Sequence, residues 1–331
     1  MEYAFNSFFI LTGHRKSGTS MFQRLFDGHP DIYVYPTDIS VLYSYFPVFT
    51  TKFKDSAKDL RNRLALVLGT SINFIYDNID KEKGFSIKKF VIDVLDNLQD
   101  EDLLNKEAVI SSIANSWIKN YYNSEKIKPF LFKETTQSIY LNEFLKFQVP
   151  VKMISIIRDP RDNYAAIKAG VSGYYSKMNE SEKESLASVI NRARMDLRSA
   201  ANHQSERNNV FLAVRFEDLV NETNRIMLEL CEFLNIKFQS ILLLPTELGR
   251  NYYGNSHDGK IFNGIFKKNV GGWKSRISKD EAMIIEYWMA DVMRVWNYPL
   301  AFSISESENA ISQFYNWYNS RYFYRDSFKL L

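Results

Sequence analysis

The chain has 331 residues, of which 45% are hydrophobic and 24% are charged, so it is long enough to bury a large core. Its 42 basic and 39 acidic residues give a net charge of +3, without the strong basic excess that is typical of nucleic-acid-binding proteins. Its single cysteine, Cys231, excludes an intrachain disulfide framework. We therefore expect an ordinary globular protein that has no nucleic-acid partner.

The start of the sequence leaves no room for a signal peptide, because a strand-like segment begins at Ser7, close to Met1. No apolar segment approaches the length that is required to cross a membrane. These features predict a cytoplasmic protein without a transmembrane segment.

Five short apolar segments, bounded by glycine, proline or charged residues, predict β-strands. They are residues 8–11, 32–35, 130–132, 151–157 and 210–214. Helical patterns lie between them, and buried strands that alternate with helices are typical of a parallel sheet covered on both faces. The pattern predicts an α/β fold with three layers, in which a central parallel sheet has helices on both faces.

The longest interval between predicted strands, about residues 41–128, shows helical periodicity over most of its length and predicts a helical insertion. Further amphipathic helices are expected at 180–207, 218–234 and 279–296. Residues 300–331 form an aromatic segment, for which packing of a terminal helix on the core is the first interpretation and contact with a sugar, membrane or partner the second. Neither repeats nor linkers are visible, so we expect a single domain over residues 1–331.

The segment from Gly13 to Ser20 follows the first predicted strand and precedes a helical pattern. Its glycines allow a tight turn in which backbone N–H groups converge on an anion, so we name residues 13–20 the phosphate loop. The spacing Gly-x4-Gly-x-Ser resembles a P-loop, but Thr19 stands where a P-loop nucleoside triphosphatase has its lysine, and Lys16 lies earlier on the loop. This difference argues against triphosphate hydrolysis.

Residues 16–20, Lys-Ser-Gly-Thr-Ser, resemble the 5′-phosphosulfate loop of sulfotransferases that use 3′-phosphoadenosine 5′-phosphosulfate (PAPS). Residues 25–31 are similar to the corresponding segment of the tyrosylprotein and glycan types, rather than the cytosolic small-phenol type. The resemblance implies a P-loop-like fold, and it implies that the loop holds the 5′-phosphate while a lysine stabilises charge on the leaving phosphate. The residues to which it assigns donor binding are Arg15, Lys16, Ser17, Gly18, Thr19 and Ser20, with Lys16 also in the catalytic role.

The strand at 151–157 ends in Arg158-Asp159-Pro160-Arg161-Asp162, a second anion-binding pattern. It resembles the 3′-phosphate segment of the same family, which implies that Arg158 binds this phosphate through its forked guanidinium. Ala166 stands where the family usually has a serine. Lys168, Ser172 or a backbone group is then expected to substitute, or the affinity for the 3′-phosphate is weaker.

Two later segments resemble segments of the family and occur in the same order along the chain, but their motifs are less specific. Phe216, at the end of the strand at 210–214, corresponds to an aromatic residue near adenine, although a core strand followed by an acidic helix start explains the segment equally well. Lys267 and Lys268, before two glycines and a tryptophan, resemble a basic lid over the 3′-phosphate. A solvated basic turn is the alternative.

Transfer to a hydroxyl requires a base that accepts its proton, and the sequence offers two candidates. Asp38 lies near the position of an acidic residue in related types, and Glu134 follows a predicted strand that resembles the family's Lys-Thr-Pro segment. His14 lies on the phosphate loop, where it faces either the donor or the acceptor. The four histidines and one cysteine show no metal-ligand spacing.

The sequence thus predicts a metal-independent sulfotransferase with PAPS as co-substrate and a hydroxyl of a glycan or small metabolite as acceptor. The insertion at about 41–128 carries no recognisable match and is expected to line the acceptor site. Two alternatives remain open at this point, a nucleotide or metabolite kinase of the P-loop type and a catalytically silent nucleotide-binding scaffold.

Overall fold

The computed structural model describes residues 3–45, 57–76, 85–172, 177, 180–254, 264–265, 267 and 270–327. Its centre is a five-stranded sheet in which all neighbouring strands are parallel. The strands are β1 (Phe5–Thr12), β2 (Tyr33–Asp38), β3 (Lys128–Lys133), β4 (Val151–Ile157) and β5 (Phe211–Arg215). Their spatial order is β2-β3-β1-β4-β5. Each of them overlaps one of the five predicted segments.

Both faces of the sheet are covered, because successive side chains of β1 enter different hydrophobic clusters. Phe8 and Ile10 belong to one cluster, and Phe9 and Leu11 belong to the other. Burial on both faces explains why these strands appear in the sequence as continuous apolar segments. The predicted α/β fold with helices on both faces is confirmed.

Helices of the described residues surround the sheet. They are α1 (Thr19–Arg24), α2 (Ala57–Tyr76), α3 (Ile87–Asp96), α4 (Lys106–Trp117), α5 (Leu141–Phe144), α6 (Pro160–Lys168), α7 (Glu182–Ser188), α8 (Arg194–Glu206), α9 (Phe216–Asn221), α10 (Thr223–Leu234), α11 (Lys279–Val295) and α12 (Ile304–Ser327). α1, α9 and α10 pack on the face of Phe9, and the remaining helices contribute to the cluster on the face of Phe8. A short hairpin, Thr246–Glu247 and Arg250–Asn251, stands apart from the main sheet.

The helical insertion is confirmed as α2, α3 and α4, with residues 46–56 and 77–84 outside the described part. Trp117 anchors it to the edge of the sheet. Its indole N–H donates to the carbonyl of Val34 (3.1 Å), and its ring makes an edge contact with Tyr35 on β2. The Val34 N–H donates to the hydroxyl of Tyr122 (2.9 Å), so side chains of the insertion satisfy the exposed backbone of this edge strand.

Two of the helices predicted after β4 are interrupted. The helix predicted at 180–207 contains a π-helical turn, Val189–Ala193, between α7 and α8. The helix predicted at 218–234 is interrupted at Glu222, whose backbone is not helical, and therefore forms α9 and α10. α11 matches the helix predicted at 279–296 to within one residue, and a capping box formed by Ser278 and Glu281 stabilises its start.

The C-terminal segment forms α12, which packs along α11. Phe314 is buried, while Trp317 and Tyr318 are partly buried against the same cluster. Residues 328–331 lie outside the described part of the chain. None of the helices in the described ranges combines the length and the apolar composition of a membrane span.

Candidate active site

Polar and charged residues gather where four adjacent strands end. β1 leads into the phosphate loop, β2 ends at Asp38, β3 ends at Lys133, and β4 leads into Arg158. Because the strands are parallel and lie in the order β2-β3-β1-β4, these groups share the carboxyl edge of the sheet. This edge is where open α/β sheets bind their ligands.

Two glycines give the phosphate loop its shape. Gly13 has φ +140° and Gly18 has φ +99°, conformations that favour glycine. A Cβ atom on Gly13 would lie 2.4 Å from the carbonyl oxygen of Ile156, and one on Gly18 would lie 2.5 Å from the ring of Phe216. Lys16 is also left-handed, with φ 63°. Left-handed residues within a turn are typical of the nests in which backbone N–H groups hold an anion.

Arg158 is buried beside this loop. Its Nη1 donates to the carbonyl of Lys16 (2.8 Å), and its guanidinium lies 4.5 Å from the ring centre of Phe216. Burial lowers the pKa of Arg158, whereas the carboxylates of Asp162 and Glu217 act in the opposite direction. A guanidinium stays charged in proteins, so Arg158 places a buried positive charge next to the loop.

Asp38 and Lys133 form an ion pair on the other side of the loop. The Lys133 ammonium is 3% exposed and also donates to the hydroxyl of Ser20 (3.2 Å). The Asp38 side chain is 41% exposed. A molecule bound at this edge therefore has access to a carboxylate that a buried lysine holds in place.

Glu134, the second predicted base, occupies a different environment. It is completely buried, and its Oε1 accepts the N–H of Thr135 (2.7 Å). Its own N–H donates to the carbonyl of Leu11 (3.0 Å), which ties the end of β3 to β1. Glu134 thus lies at the expected edge but is enclosed by protein.

Arg15 points away from the centre of the loop. Its guanidinium pairs with the carboxylate of Glu180, with Nη1 2.9 Å from Oε2, and it also donates to the hydroxyl of Ser188 (3.3 Å). In this conformation it connects the loop to α7.

Phe216 is 6% exposed and lies between Gly18 and Arg158. Its ring packs against Gly18 of the loop, and one face of the ring contacts the Arg158 guanidinium. The predicted contact of Phe216 with adenine stays a prediction.

The predicted basic lid is only partly described. The ammonium of Lys267 donates to the carbonyl of Asn221 at the end of α9 (3.2 Å). Lys268 lies outside the described residues. The turn that follows is fixed by Asp162, whose carboxylate accepts the N–H groups of Gly271 (2.6 Å) and Trp273 (2.7 Å).

The residues expected to compensate for Ala166 lie in different surroundings. The ammonium of Lys168 pairs with Glu281 (2.8 Å) and Glu182 (3.1 Å), and Ser172 is exposed. Arg276, on the turn held by Asp162, is close enough to Arg158 for its charge to lower the pKa of Arg158. Arg276 is therefore an additional cation next to the predicted 3′-phosphate site.

The profile of the sulfotransferase family matches residues 8–240, which is more than half of the chain. The chain belongs to the sulfotransferase family. The matched region contains the phosphate loop, Asp38, Lys133 and Arg158.

Two solved structures share the fold of this sulfotransferase. The sulfotransferase domain from the curacin biosynthetic pathway is 17% identical, with a TM-score of 0.57, and the alignment covers 89% of this chain and 99% of that one. The sulfotransferase domain of the olefin synthase from Synechococcus PCC 7002 is 17% identical, with a TM-score of 0.52, and coverage of 91% and 98%. No curated protein sequence matches significantly.

Sequence reasoning missed several polar residues of this sulfotransferase site. Lys133 could have been noticed in the sequence, because it is a lysine at the end of an otherwise apolar strand. Its contacts could not, because its partners Asp38 and Ser20 are distant in sequence. The contacts of Asp162 with residues 271 and 273 carry no local signal at all.

We expect replacement of Gly18 by alanine to destabilise the sulfotransferase far more than the same change at Gly249. Both glycines have positive φ, but the space around Gly249 is open, whereas a Cβ on Gly18 would overlap Phe216. Overpacking of this kind costs about 1–3 kcal/mol beyond the shared backbone strain. Urea unfolding of Gly18→Ala and Gly249→Ala measures the difference, and equal losses of stability would show that Phe216 does not constrain the loop.

Proposed function

We propose that this sulfotransferase moves a sulfuryl group from PAPS to an acceptor hydroxyl and releases adenosine 3′,5′-bisphosphate. The observation that carries the proposal is the hydrogen bond between Arg158 and the carbonyl of Lys16, which joins two anion-binding features at one edge of the sheet. A nucleotide with phosphates on both sides of its ribose matches such a pair. Most other nucleotides have phosphates on one side only.

The donor would contact the protein through the phosphate loop and the end of β4. Backbone and side-chain groups of residues 17–20 would hold the 5′-phosphate, and Arg158 would hold the 3′-phosphate, with Arg276 as a second cation nearby. Phe216 keeps Arg158 and Gly18 in their positions, and its contact with the adenine ring is part of the proposal. Lys267 and Lys268 are proposed to cover the 3′-phosphate, a role for which the Lys267 ammonium would have to leave the carbonyl of Asn221.

PAPS supplies an activated sulfuryl group. The protein's own contribution is electrostatic, because charge develops on the bridging oxygen as it leaves. Lys16, on the loop, is assigned to this oxygen. Lys133, buried between Ser20 and Asp38, supplies a second positive charge on the acceptor side, so the proposal requires no metal ion.

Asp38 is the general base that the geometry favours, because it is accessible while Glu134 is enclosed. Its carboxylate would accept the proton of the acceptor hydroxyl as the oxygen attacks sulfur, in line with the leaving oxygen. Lys133 would hold the carboxylate in position. Glu134 stays the second candidate.

The acceptor is proposed to be a hydroxyl of a glycan or small metabolite. Asp38 is followed at once by a short 3₁₀ helix, Ser40–Ser44, and then by the helical insertion, so the insertion begins beside the proposed base. We assign acceptor selection to residues 41–128 and treat residues 1–331 as one domain. A cytoplasmic location stays part of the proposal.

A kinase of the P-loop type is not favoured. Thr19, at the position of the lysine that such kinases require, is buried at the start of α1. Membership of the sulfotransferase family argues in the same direction.

Calorimetry tests donor binding. We expect the protein to bind adenosine 3′,5′-bisphosphate and to bind ATP with Mg²⁺ much more weakly. Lys16→Ala should weaken bisphosphate binding by about 10- to 100-fold, the loss that removal of a charged hydrogen-bond partner causes. Lys146→Ala is the matched control, because Lys146 is an exposed lysine just before β4, at the opposite edge of the sheet. Tight binding of ATP without measurable binding of the bisphosphate would contradict the proposal.

Transfer kinetics test the base. With a sugar or phenol acceptor identified by screening, Asp38→Asn should lower kcat by about 100- to 10,000-fold and leave bisphosphate affinity nearly unchanged. Asp31→Asn serves as the control, since Asp31 precedes the amino end of β2, on the opposite edge of the sheet. A Glu134→Gln variant with the larger loss of kcat would assign the base to Glu134 instead.

A further inference from the structure

A small polar cavity lies behind the phosphate loop, between the loop, the end of β4 and α8. Its volume is about 10 Å³, which is about the space that one water molecule needs. Polar cavities of this size hold ordered water when several polar groups surround them. The lining residues that matter here are His14, Ser17, Arg158, Asn163 and Asp196.

The protonation of His14 follows from its contact with Asn163. The Asn163 amide nitrogen donates to the carbonyl of Arg15 (2.7 Å) and to the hydroxyl of Ser17 (3.3 Å), so its oxygen is the acceptor that faces His14. His14 Nδ1 therefore carries the proton and donates to this oxygen (2.7 Å). Burial lowers the pKa of His14 to about 3, so the ring is neutral. Its Nε2 is then a buried acceptor with no hydrogen-bond donor among the residues that the structure describes.

Asp196 supplies a second buried acceptor. It lies on α8 and is 3% exposed. Its Oδ1 accepts the hydroxyl of Ser138 (3.0 Å), whereas Oδ2 is buried and makes no hydrogen bond of normal geometry in the described ranges of the chain, although the Thr136 hydroxyl lies near the carboxylate. Burial raises the pKa of Asp196 to about 7, against the effects of Thr136, Ser138 and Arg192.

We propose that one buried water molecule bridges His14 Nε2 and Asp196 Oδ2, and that Asp196 acts through this bridge as a positioning residue for the phosphate loop. Two acceptors that line one small cavity require a group with two O–H donors, and a water molecule supplies them. When Asp196 is protonated, its own O–H donates to the water, and the water still donates to His14. The bridge thus exists in both protonation states.

The bridge reaches the anion site through a chain of hydrogen bonds. His14 holds Asn163, and Asn163 holds the backbone of Arg15 and the hydroxyl of Ser17. The water therefore fixes the back of the turn whose front is assigned to the 5′-phosphate. The effect of the water on phosphate binding rests on the proposed function, whereas the water bridge itself does not.

Several charged or titratable groups surround the Asp196 carboxylate. Arg158 lines the same cavity from the end of β4, His14 lines it from the loop, and Arg192 lies on the preceding π-helical turn. His203, also on α8, donates to the carbonyl of Ser138 (3.0 Å). Ionisation of Asp196 adds a negative charge behind the loop, so it should weaken the binding of a phosphate at the front.

The bridge is tested by ¹⁵N NMR spectroscopy of the ligand-free protein in which the histidines are labelled with ¹⁵N. The His14 resonance is identified by its loss in His14→Gln, and we expect its proton on Nδ1, whereas His29 and His203 face carbonyl oxygens through Nε2. We expect the His14 Nε2 resonance to shift with a midpoint near pH 7, without protonation of the ring, and to stop shifting in Asp196→Asn. A resonance that does not change with pH, or changes equally in Asp196→Asn, would overturn the bridge.

A second variant identifies the titrating group. Ser138→Ala removes a donor to the Asp196 carboxylate, so the midpoint should move to higher pH. A midpoint that stays in place in Ser138→Ala would show that another group titrates. This variant also protects the test against a failure of Asp196→Asn to fold.

Bisphosphate affinity tests the positioning role. From pH 6 to pH 8 the wild-type affinity should fall by about fivefold relative to Asp196→Asn, because only the wild type gains a charge behind the loop. Parallel pH profiles would overturn the role of Asp196 as a positioning residue. If the bisphosphate binds neither protein, the proposed function fails, while the NMR result still decides on the bridge.

Discussion

The contact between Arg158 and the phosphate loop is the constraint on which the rest of the site depends. A guanidinium buried without compensation costs several kcal/mol. Here its charge is offset by a hydrogen bond to the Lys16 carbonyl and by the ring of Phe216, contacts worth about 1.5–3 and about 2 kcal/mol respectively. The nearby carboxylates of Asp162 and Glu217 also favour the charged guanidinium. The cation is therefore tolerated beside the loop, where the proposed phosphate would be a further partner.

The same contact explains why distant parts of the sequence are tightly linked. Gly18 has no side chain because Phe216 occupies the space that a Cβ would need, and Phe216 lies there because it supports Arg158. Asp162 then fixes the turn at residues 271–273 beside Arg158. Three strand ends and one late turn thus converge on a single buried charge, which gives the proposed donor edge a rigid frame. The region around Asp38, proposed as the acceptor side, is more exposed and depends on one buried lysine.

Local signals in the sequence predicted the sheet well, and they brought the phosphate loop and Arg158 to one edge of it. Strands buried on both faces are continuous apolar segments, and the phosphate loop and Arg158 each follow such a strand directly. Partnerships across the fold were not predictable, because they depend on strand order and on side-chain direction. The pair of Asp38 and Lys133 required the knowledge that β2 neighbours β3, and the enclosure of Glu134 required the path of the chain after β3. Arg15 looked like a phosphate ligand from its position but pairs with Glu180, far along the chain.

The central claim is that the loop and Arg158 read two different phosphates of one nucleotide. The most direct measurement compares the affinities for adenosine 3′,5′-bisphosphate and adenosine 5′-monophosphate in the wild type and in Arg158→Gln. The account predicts that the variant loses about 10- to 100-fold of its preference for the bisphosphate. Its affinity for the 5′-monophosphate should fall by less, through the lost hydrogen bond to the Lys16 carbonyl of the loop. An unchanged preference, or an equal loss of affinity for both nucleotides, would contradict the assignment of Arg158 to the 3′-phosphate.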